Sequence, residues 1–582
     1  MTERVAAGIA RTLAAEGTRA IFGVPASETM AIVVAAQRQG IAAYHARHEQ
    51  AAVGMADGYG RFTGRPGVVV VGRGPGFTNG LNALITAAKA RAPMVVVTGE
   101  LPGPFRGERA GQHIFHSKNV DQAGIAELAG ATVVEVTAPE SAIDAVRRAL
   151  RTARAGRAVV LLVPTDVAAA DLPDGVVAGA DGEDGPGTGP EATGDAGGLA
   201  AGGEPDPADI AAVADLLEAT WACRRPLLLA GRGAAGPEAG RALRELGDLV
   251  GAAMVTTLLG KDLFAGDPAD GGILGTLSTG TTSGLAVRSD LALVFGASLN
   301  PFTTYGGDLL AKARVVQFDC DPAAFGRHLP AELTVVGDAA AAARRLVEEL
   351  RRRRHRAVGY REPAVLEKLA AARAEGGAPA APDAGGVRSG EGRLDAPAVL
   401  RAIDAALPAE RAVVVDAGAH MPFSATCLHV GRPDRFLTTA VDYTSVGSAF
   451  GIAMGVALAD PSTTTACVIG DGGLAMALPD LQTLARYRLP VTVVVLNDAA
   501  FGQEVQLLQL AGMPDDIAHY PDIDFAALAR AVGVEGITVG SAGDLDAARA
   551  AIQGGRLPLV VDCKVTTGAL GAHSALVSRV GR

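Results

Sequence analysis

Short, unbroken apolar runs alternate along this chain with longer stretches in which apolar residues return every third or fourth position. The runs are VVVV (68–71), MVVVTG (94–99) and AVVLLVP (158–164), then PLLLAG (226–231), LALVFG (291–296) and VVQFD (315–319), and finally AVVVDAG (412–418), TACVIGDG (465–472), VTVVVLND (491–498) and LPLVVDC (557–563). A strand with one wet face would alternate apolar and polar residues. These runs do not alternate, which is the pattern of strands in a parallel sheet with helices on both faces. The same rhythm of strand, Gly-rich turn and helical pattern occurs three times, so the fold class expected is α/β, with three doubly wound parallel-sheet domains.

Two segments break the rhythm. Residues 174–206 read DGVVAGADGEDGPGTGPEATGDAGGLAAGGEPD, and residues 375–392 read EGGAPAAPDAGGVRSGEG. With almost no bulky side chains, neither can bury enough surface to offset its ordering entropy, so both read as linkers. The division expected is a first domain over 1–170, a linker over 171–205, a central domain over 206–355, a linker over 356–392 and a third domain over 393–582.

At 582 residues, with 49% apolar and 20% charged residues, the chain has the composition of a large globular protein. A net charge of -11 argues against nucleic acid as a main partner, since phosphate contact needs concentrated positive charge. The basic run 351–356 follows a helical pattern and reads as a solvated helix end. Five cysteines (Cys223, Cys320, Cys427, Cys467, Cys563) lie far apart without a CxxC pair, which fits a reduced setting. With no signal-peptide pattern and no apolar stretch of roughly 20 residues, a cytoplasmic protein without membrane contact is expected.

The chemistry begins where two apolar runs end in acids. Asp471 closes one run in Gly-Asp-Gly, and Asp498, 27 positions later, closes the next in Asn-Asp. Strand, crossover helix and parallel strand place both carboxyl ends on one edge of a sheet, so the two acids can face one site. Paired carboxylates there favour a hard divalent ion such as Mg2+. Gly470, Gly472 and Gly473 let backbone N–H groups approach an anion.

This arrangement, with AAFG downstream, resembles the thiamine diphosphate motif of the acetolactate synthase and pyruvate decarboxylase superfamily. The resemblance implies that Asp471, Asp498 and the backbone carbonyl of Ala500 hold Mg2+. Two departures stand out: the family's usual Asn-Asn is Asn497-Asp498 here, and its frequent Ser after GDG is Gly473.

In the first domain, HARHEQAAVGMADGYGRFTGRPGVVVVGRGPGFTNG (45–80) resembles the family's pyrimidine domain. The resemblance implies that Glu49 is the glutamate that hydrogen-bonds the aminopyrimidine and promotes C2 deprotonation, with Gly76 and Asn79 near the ring's polar edge. It also implies active sites between subunits, hence a homodimer or homotetramer. Arg73 stands where relatives mostly carry a small or polar residue; it is either a clamp for a substrate carboxylate or a bystander pointing outward.

Further residues follow from the resemblance. Ser27, in the IFGVPASE loop, either bonds a substrate carboxylate or caps the following helix. His113 and His116, in GQHIFHSKNVDQ, are candidate proton relays, and Lys118 is a candidate substrate contact. His420 ends the DAGAH loop near the diphosphate. Val446 falls on the large apolar residue that bends the cofactor. Glu504, six positions beyond Asp498, matches an acid that assists protonation in pyruvate decarboxylases. In the central domain, Ser298-Leu299 and Thr279-Gly280 replace the residues of flavin-bearing relatives, making FAD unlikely.

The function expected is a thiamine diphosphate- and Mg-dependent 2-oxo acid decarboxylating carboligase. The alternatives are a non-ligating decarboxylase or an acyloin-cleaving lyase of the same superfamily. A cofactor-binding homologue with weak activity is disfavoured by intact Glu49, Asp471 and Asp498. An NAD-dependent enzyme is disfavoured because GRGAAG (231–236) lacks a following acid at the right distance.

Overall fold

The computed structural model describes residues 3–103, 118–173, 203–219, 224–356, 359–374 and 393–566. Among them are three six-stranded sheets, parallel throughout. The first holds β1 (Ala20–Gly23), β2 (Ala42–His45), β3 (Gly67–Val71), β4 (Met94–Glu100), β5 (Thr132–Glu135) and β6 (Ala158–Pro164) in the order β2-β1-β3-β4-β6-β5. The second holds β7 (Pro226–Ala230), β8 (Ala253–Thr256), β9 (Asp270–Ile273), β10 (Leu291–Phe295), β11 (Arg314–Asp319) and β12 (Leu333–Val336) in the order β12-β11-β10-β7-β8-β9. The third holds β13 (Arg411–Val415), β14 (Phe436–Thr438), β15 (Thr464–Gly470), β16 (Val491–Asn497), β17 (Glu535–Val539) and β18 (Leu559–Lys564) in the order β14-β13-β15-β16-β18-β17.

The ten apolar runs of the sequence are all strands, and all lie inside their sheets. The other eight strands include every edge strand, β2, β5, β9, β12, β14 and β17, which have one neighbour each and need no continuous apolar run. The remaining two, β1 and β8, are interior but only four residues long.

One core is shared between the first and third domains. Helix Glu49–Thr63 lies against helix Ser448–Ala459, and their buried residues belong to a single apolar cluster with β3, β4, β15 and β16. Glycines set the separation. A Cβ added at Gly58 would lie 2.1 Å from the Ile452 carbonyl oxygen, and one at Gly455 would lie 2.0 Å from that of Met55. The helices therefore meet backbone to backbone.

One boundary differs from expectation. Helix Pro363–Ala374 falls within the 356–392 segment expected to be linker, and Tyr360 and Leu369 are buried in the central domain's core. The Tyr360 hydroxyl donates to the Leu285 carbonyl at 2.8 Å. Three bulky residues, Tyr360, Val365 and Leu369, supply enough apolar surface to dock the segment. The basic run closes helix Ala339–Arg352, where Arg352 and Arg353 both pair with Glu349 at 2.6 Å. No helix among the described residues is long and apolar enough to cross a membrane.

Candidate active site

Strands β15 and β16 run side by side with Gly470 opposite Leu496, so Asp471 and Asp498 leave the same edge one and two residues later. Asp471 opens helix Asp471–Ala477, whose N-cap, Gly470, offers no side-chain cap. After Asp498 the chain turns sharply at Ala499, which has φ +57°. Asn497 holds that turn. Its Oδ1 accepts from the Ala499 N–H at 3.2 Å, while its Nδ2 donates to Asp562 Oδ1 at 3.0 Å and to the Ile523 carbonyl at 2.9 Å. Of the Asn-Asp pair, then, Asn497 is a fully buried anchor and Asp498 enters the site. The segment before β17 clamps the same turn, with the Phe501 N–H on the Ala518 carbonyl at 2.9 Å and the Tyr520 N–H on the Ala499 carbonyl at 3.1 Å.

Asp471, Asp498, Ala500, His420, Val446, Glu504, Gly470, Gly472 and Gly473 line one cleft, and the described residues that line it all belong to the third domain. Asp471 is 2% exposed. Burial, followed by the charge of Asp498, pushes its carboxyl up to about 7. Its Oδ2 is buried without a hydrogen-bond partner, although the Tyr520 hydroxyl and the N–H groups of Gly472 and Ala499 reach the carboxyl. Tyr520 also donates to the Ala500 carbonyl at 3.2 Å. Burial and the two acids push the Tyr520 phenol well above its usual range, so it stays protonated.

His420 is likewise buried, and its Nε2 has no partner. Burial lowers it to about 4, leaving a neutral imidazole at neutral pH. Bare glycines admit the ring: a Cβ at Gly418 or Gly470 would come within 3.3 Å of it. An unpartnered carboxylate oxygen invites a cation, and an unpartnered ring nitrogen can donate to an anion. That complement fits a metal ion carrying a diphosphate. No group of three or more His, Cys, Asp or Glu suited to a metal occurs among the described residues, so a metal here would draw on two carboxylates and backbone oxygen.

Asp416, which the sequence reading passed over, organises this edge. It is fully buried and pushed up to about 7 by that burial. It accepts from the N–H groups of Gly447 at 2.6 Å and Ala449 at 3.2 Å, and from the Thr439 hydroxyl at 3.2 Å. It thereby holds the turn through Val446 and Gly447, at φ +81°, against helix Ser448–Ala459. A Cβ at Gly473 would meet its Oδ2 at 2.6 Å, so the glycine shares its space with this carboxyl. The available signal was the acid ending the run AVVVD, the same signal that marked Asp471 and Asp498.

The first domain holds a second group of the expected residues. Glu49 is the first residue of its helix, capped by His48 Nδ1, which accepts from the Gln50 N–H at 3.2 Å. Asn79 Nδ2 donates to Glu49 Oε2 at 3.0 Å, and a Cβ on Gly76 would lie 3.4 Å from Glu49 Oε1. The three residues thus lie together, with Glu49 half-exposed.

Around them the structure changes two readings, those of Arg73 and Ser27, and gives Lys118 a partner. Arg73 does not point outward: it is 5% exposed, with Nε 3.9 Å from Glu28 Oε1. Lys118 Nζ reaches the same Glu28 oxygen at 2.9 Å. Ser27 does not cap a helix, because the helix starts at Met30 after Thr29, and its hydroxyl donates to Glu28 Oε2 at 3.2 Å. Glu28, absent from the sequence reading, is therefore the hub of this cluster. Burial raises its carboxyl, but hydrogen bonds from Lys118 and its own N–H and the Lys118 charge hold it below the usual range. His113 and His116 lie outside the described residues.

The structure thus has three doubly wound domains, with an acid pair at the edge of the third and a glutamate–asparagine pair at the edge of the first, and the class it belongs to is that of enzymes that bind thiamine diphosphate. Comparison with known families agrees. Residues 3–125 match the model of the thiamine pyrophosphate enzyme N-terminal TPP-binding domain, 210–346 the central domain and 416–563 the C-terminal TPP-binding domain. An acetolactate synthase large subunit of Parasynechococcus marenigrum is 30% identical over 585 residues, covering 97% of this chain and 88% of the relative. That of Haemophilus influenzae is 26% identical, covering 92% and 90%. A Pseudomonas aeruginosa protein named "Probable 2-ketoarginine decarboxylase AruI" is 27% identical, covering 90% and 87%. The chain belongs to the thiamine diphosphate-dependent superfamily of acetolactate synthases and 2-oxo acid decarboxylases, and it is an enzyme that processes 2-oxo acids.

Proposed function

We propose that the chain is a Mg2+-dependent decarboxylating carboligase of the acetolactate synthase type, joining an activated aldehyde unit to a carbonyl acceptor. Thiamine diphosphate, when bound, supplies the thiazolium that takes up the electron pair released as a 2-oxo acid loses CO2. The observation that supports the cofactor and metal in this reading is the pair of orphaned atoms in the cleft, Asp471 Oδ2 and His420 Nε2, and what supports the reaction type is the likeness to acetolactate synthase large subunits. Asp471, Asp498 and the Ala500 carbonyl offer oxygen to a hard divalent ion. His420, with the bare backbone at Gly470, Gly472 and Gly473, suits diphosphate oxygens, and Val446 supports the space between the cofactor's rings.

Glu49 holds and moves the proton at the aminopyrimidine, with Asn79 fixing its other oxygen and Gly76 leaving room for the ring. In this reading a second copy supplies Glu49, and the working unit is a homodimer or homotetramer; that the described lining of the cleft comes from the third domain alone is consistent with it. Lys118 and Ser27 meet the substrate carboxylate, Arg73 secures Glu28 behind them, and His113 and His116 relay protons. Glu504, exposed at the cleft, is placed to supply the proton that the acceptor's carbonyl oxygen takes up as the new C–C bond forms.

The position of Glu504 also favours a second reading, a 2-oxo acid decarboxylase that releases the aldehyde. Product analysis with pyruvate and other 2-oxo acids, with and without an added aldehyde, separates the two. The carboligase reading expects a hydroxy ketone or hydroxy-oxo acid product. Free aldehyde alone with every donor would refute it.

A further inference from the structure

Tyr520 touches two of the three groups assigned to the metal. Its hydroxyl donates to the Ala500 carbonyl at 3.2 Å and lies beside the Asp471 carboxyl. Its ring meets Phe501 edge-on, with centroids 5.3 Å apart. Both rings need the bare Gly472: a Cβ there would lie 2.7 Å from Phe501 Cε1 and 3.1 Å from the Tyr520 hydroxyl. The backbone of the same segment is tied to the metal loop, through the Ala499–Tyr520 bond and the bridge between Ala500 and His519.

A carbonyl oxygen has two lone pairs, so Ala500 can accept the phenol hydrogen and still face an ion. A phenol fixed against both Ala500 and Asp471 sets the spacing between them. We infer that Tyr520 is a positioning residue of the metal site, which holds the Ala500 carbonyl and Asp471 in ligating geometry and so sets the affinity for Mg2+. It does not touch the reacting atoms. Outer partners of metal ligands typically change affinity by about 10- to 100-fold when lost.

The inference rests on the assignment of Asp471, Asp498 and Ala500 as the metal ligands, so its test includes Asp471→Ala. Mg2+ is titrated by calorimetry into the full-length protein saturated with thiamine diphosphate, and the Mn2+ EPR spectrum is recorded in parallel. Tyr520→Phe should weaken Mg2+ by about 10-fold or more and alter the Mn2+ spectrum. Tyr487→Phe removes a comparable hydroxyl, one that accepts from the His45 N–H at 2.8 Å, and should leave both unchanged. Should Tyr520→Phe fail to fold, hydrogen exchange in the unaltered protein decides: Mg2+ should protect 499–501 and 518–520 together.

Affinity for Tyr520→Phe within twofold of the unaltered protein, a tighter value, an equal loss in Tyr487→Phe, or protection of 499–501 without 518–520 would each overturn the inference. If Asp471→Ala, which leaves no side-chain oxygen, binds Mg2+ as the unaltered protein does, the metal assignment itself falls. If it loses Mg2+ while Tyr520→Phe does not, only the role of Tyr520 falls.

Discussion

Gly455→Ala tests how the Glu49 helix is held. Helix propensity alone favours the change by about 1 kcal/mol, because Gly455 is interior to helix Ser448–Ala459. Packing opposes it. The new Cβ would sit 2.0 Å from the Met55 carbonyl oxygen and 2.7 Å from its carbon, both rigid backbone atoms. Relief requires the helices to part by about 1 Å or more, and a gap of that size forfeits roughly a quarter to a half of the attraction across the contact. Overpacking and lost contact together should cost about 3–5 kcal/mol, leaving a net loss of about 2–4 kcal/mol after the propensity gain. For a cooperative unit of one or two domains this corresponds to a fall in Tm of about 5–15 °C. Unfolding of three domains is not a single transition, so the readout is the resolved calorimetric transition that contains the shared core of the first and third domains, compared between variants. Gly540→Ala is the control, since its Cβ would find nothing nearer than Asp544 Oδ2 at 4.0 Å. If Gly455→Ala melts within about 2 °C of the unaltered protein, the backbone-to-backbone contact is not what sets the helix separation.

Metal affinity should depend on pH in the direction set by Asp471. A carboxyl raised to about 7 by burial and by Asp498 must lose its proton to ligate, so apparent Mg2+ affinity should climb by up to about tenfold per unit below pH 7 and level off above it, as read by calorimetry between pH 5.5 and 8.5. Without metal the linkage runs the other way. Asp416 and Asp471 are both raised above the ordinary carboxyl value of 3.8, so their stabilising contribution is complete below about pH 4 and lost as pH rises through 7. The metal-free protein should therefore melt higher at pH 5 than at pH 8. Asp498→Asn, the residue the family usually carries, should keep Mg2+ binding and move the affinity rise to lower pH; lost binding would contradict its role as an oxygen ligand. Lys118→Met should raise KM by about tenfold with kcat within threefold, and an unchanged KM would make Lys118 a partner of Glu28 alone.

How much of this was legible in the sequence follows from burial. Interior strands such as β4 and β16 are wet on neither face and print as apolar runs. Edge strands such as β2 and β17 carry partly exposed residues and print no pattern. Asp471 and Asp498 were legible as neighbours because strand order fixes the edge they share, whereas Glu49, at the edge of a different sheet, was reached only through the resemblance of its motif. Glu28 and Tyr520 were not, since their importance lies in contacts with residues 90 and 20 positions away. The Gly58 and Gly455 contact is of the same kind: each glycine looks like a weak helix residue until the facing backbone is known. Tyr360 and Leu369 were hidden by the low-complexity segment that follows them.

The most direct test of the central claim is the exchange of the thiamine diphosphate C2 proton for deuterium, followed by proton NMR in the Mg2+-loaded protein. Glu49 and the cleft around Asp471 should accelerate exchange by at least about 10²-fold over free cofactor, and Glu49→Gln should abolish the acceleration while Tm stays unchanged. Exchange no faster than in free cofactor, or acceleration retained in Glu49→Gln, would contradict the account.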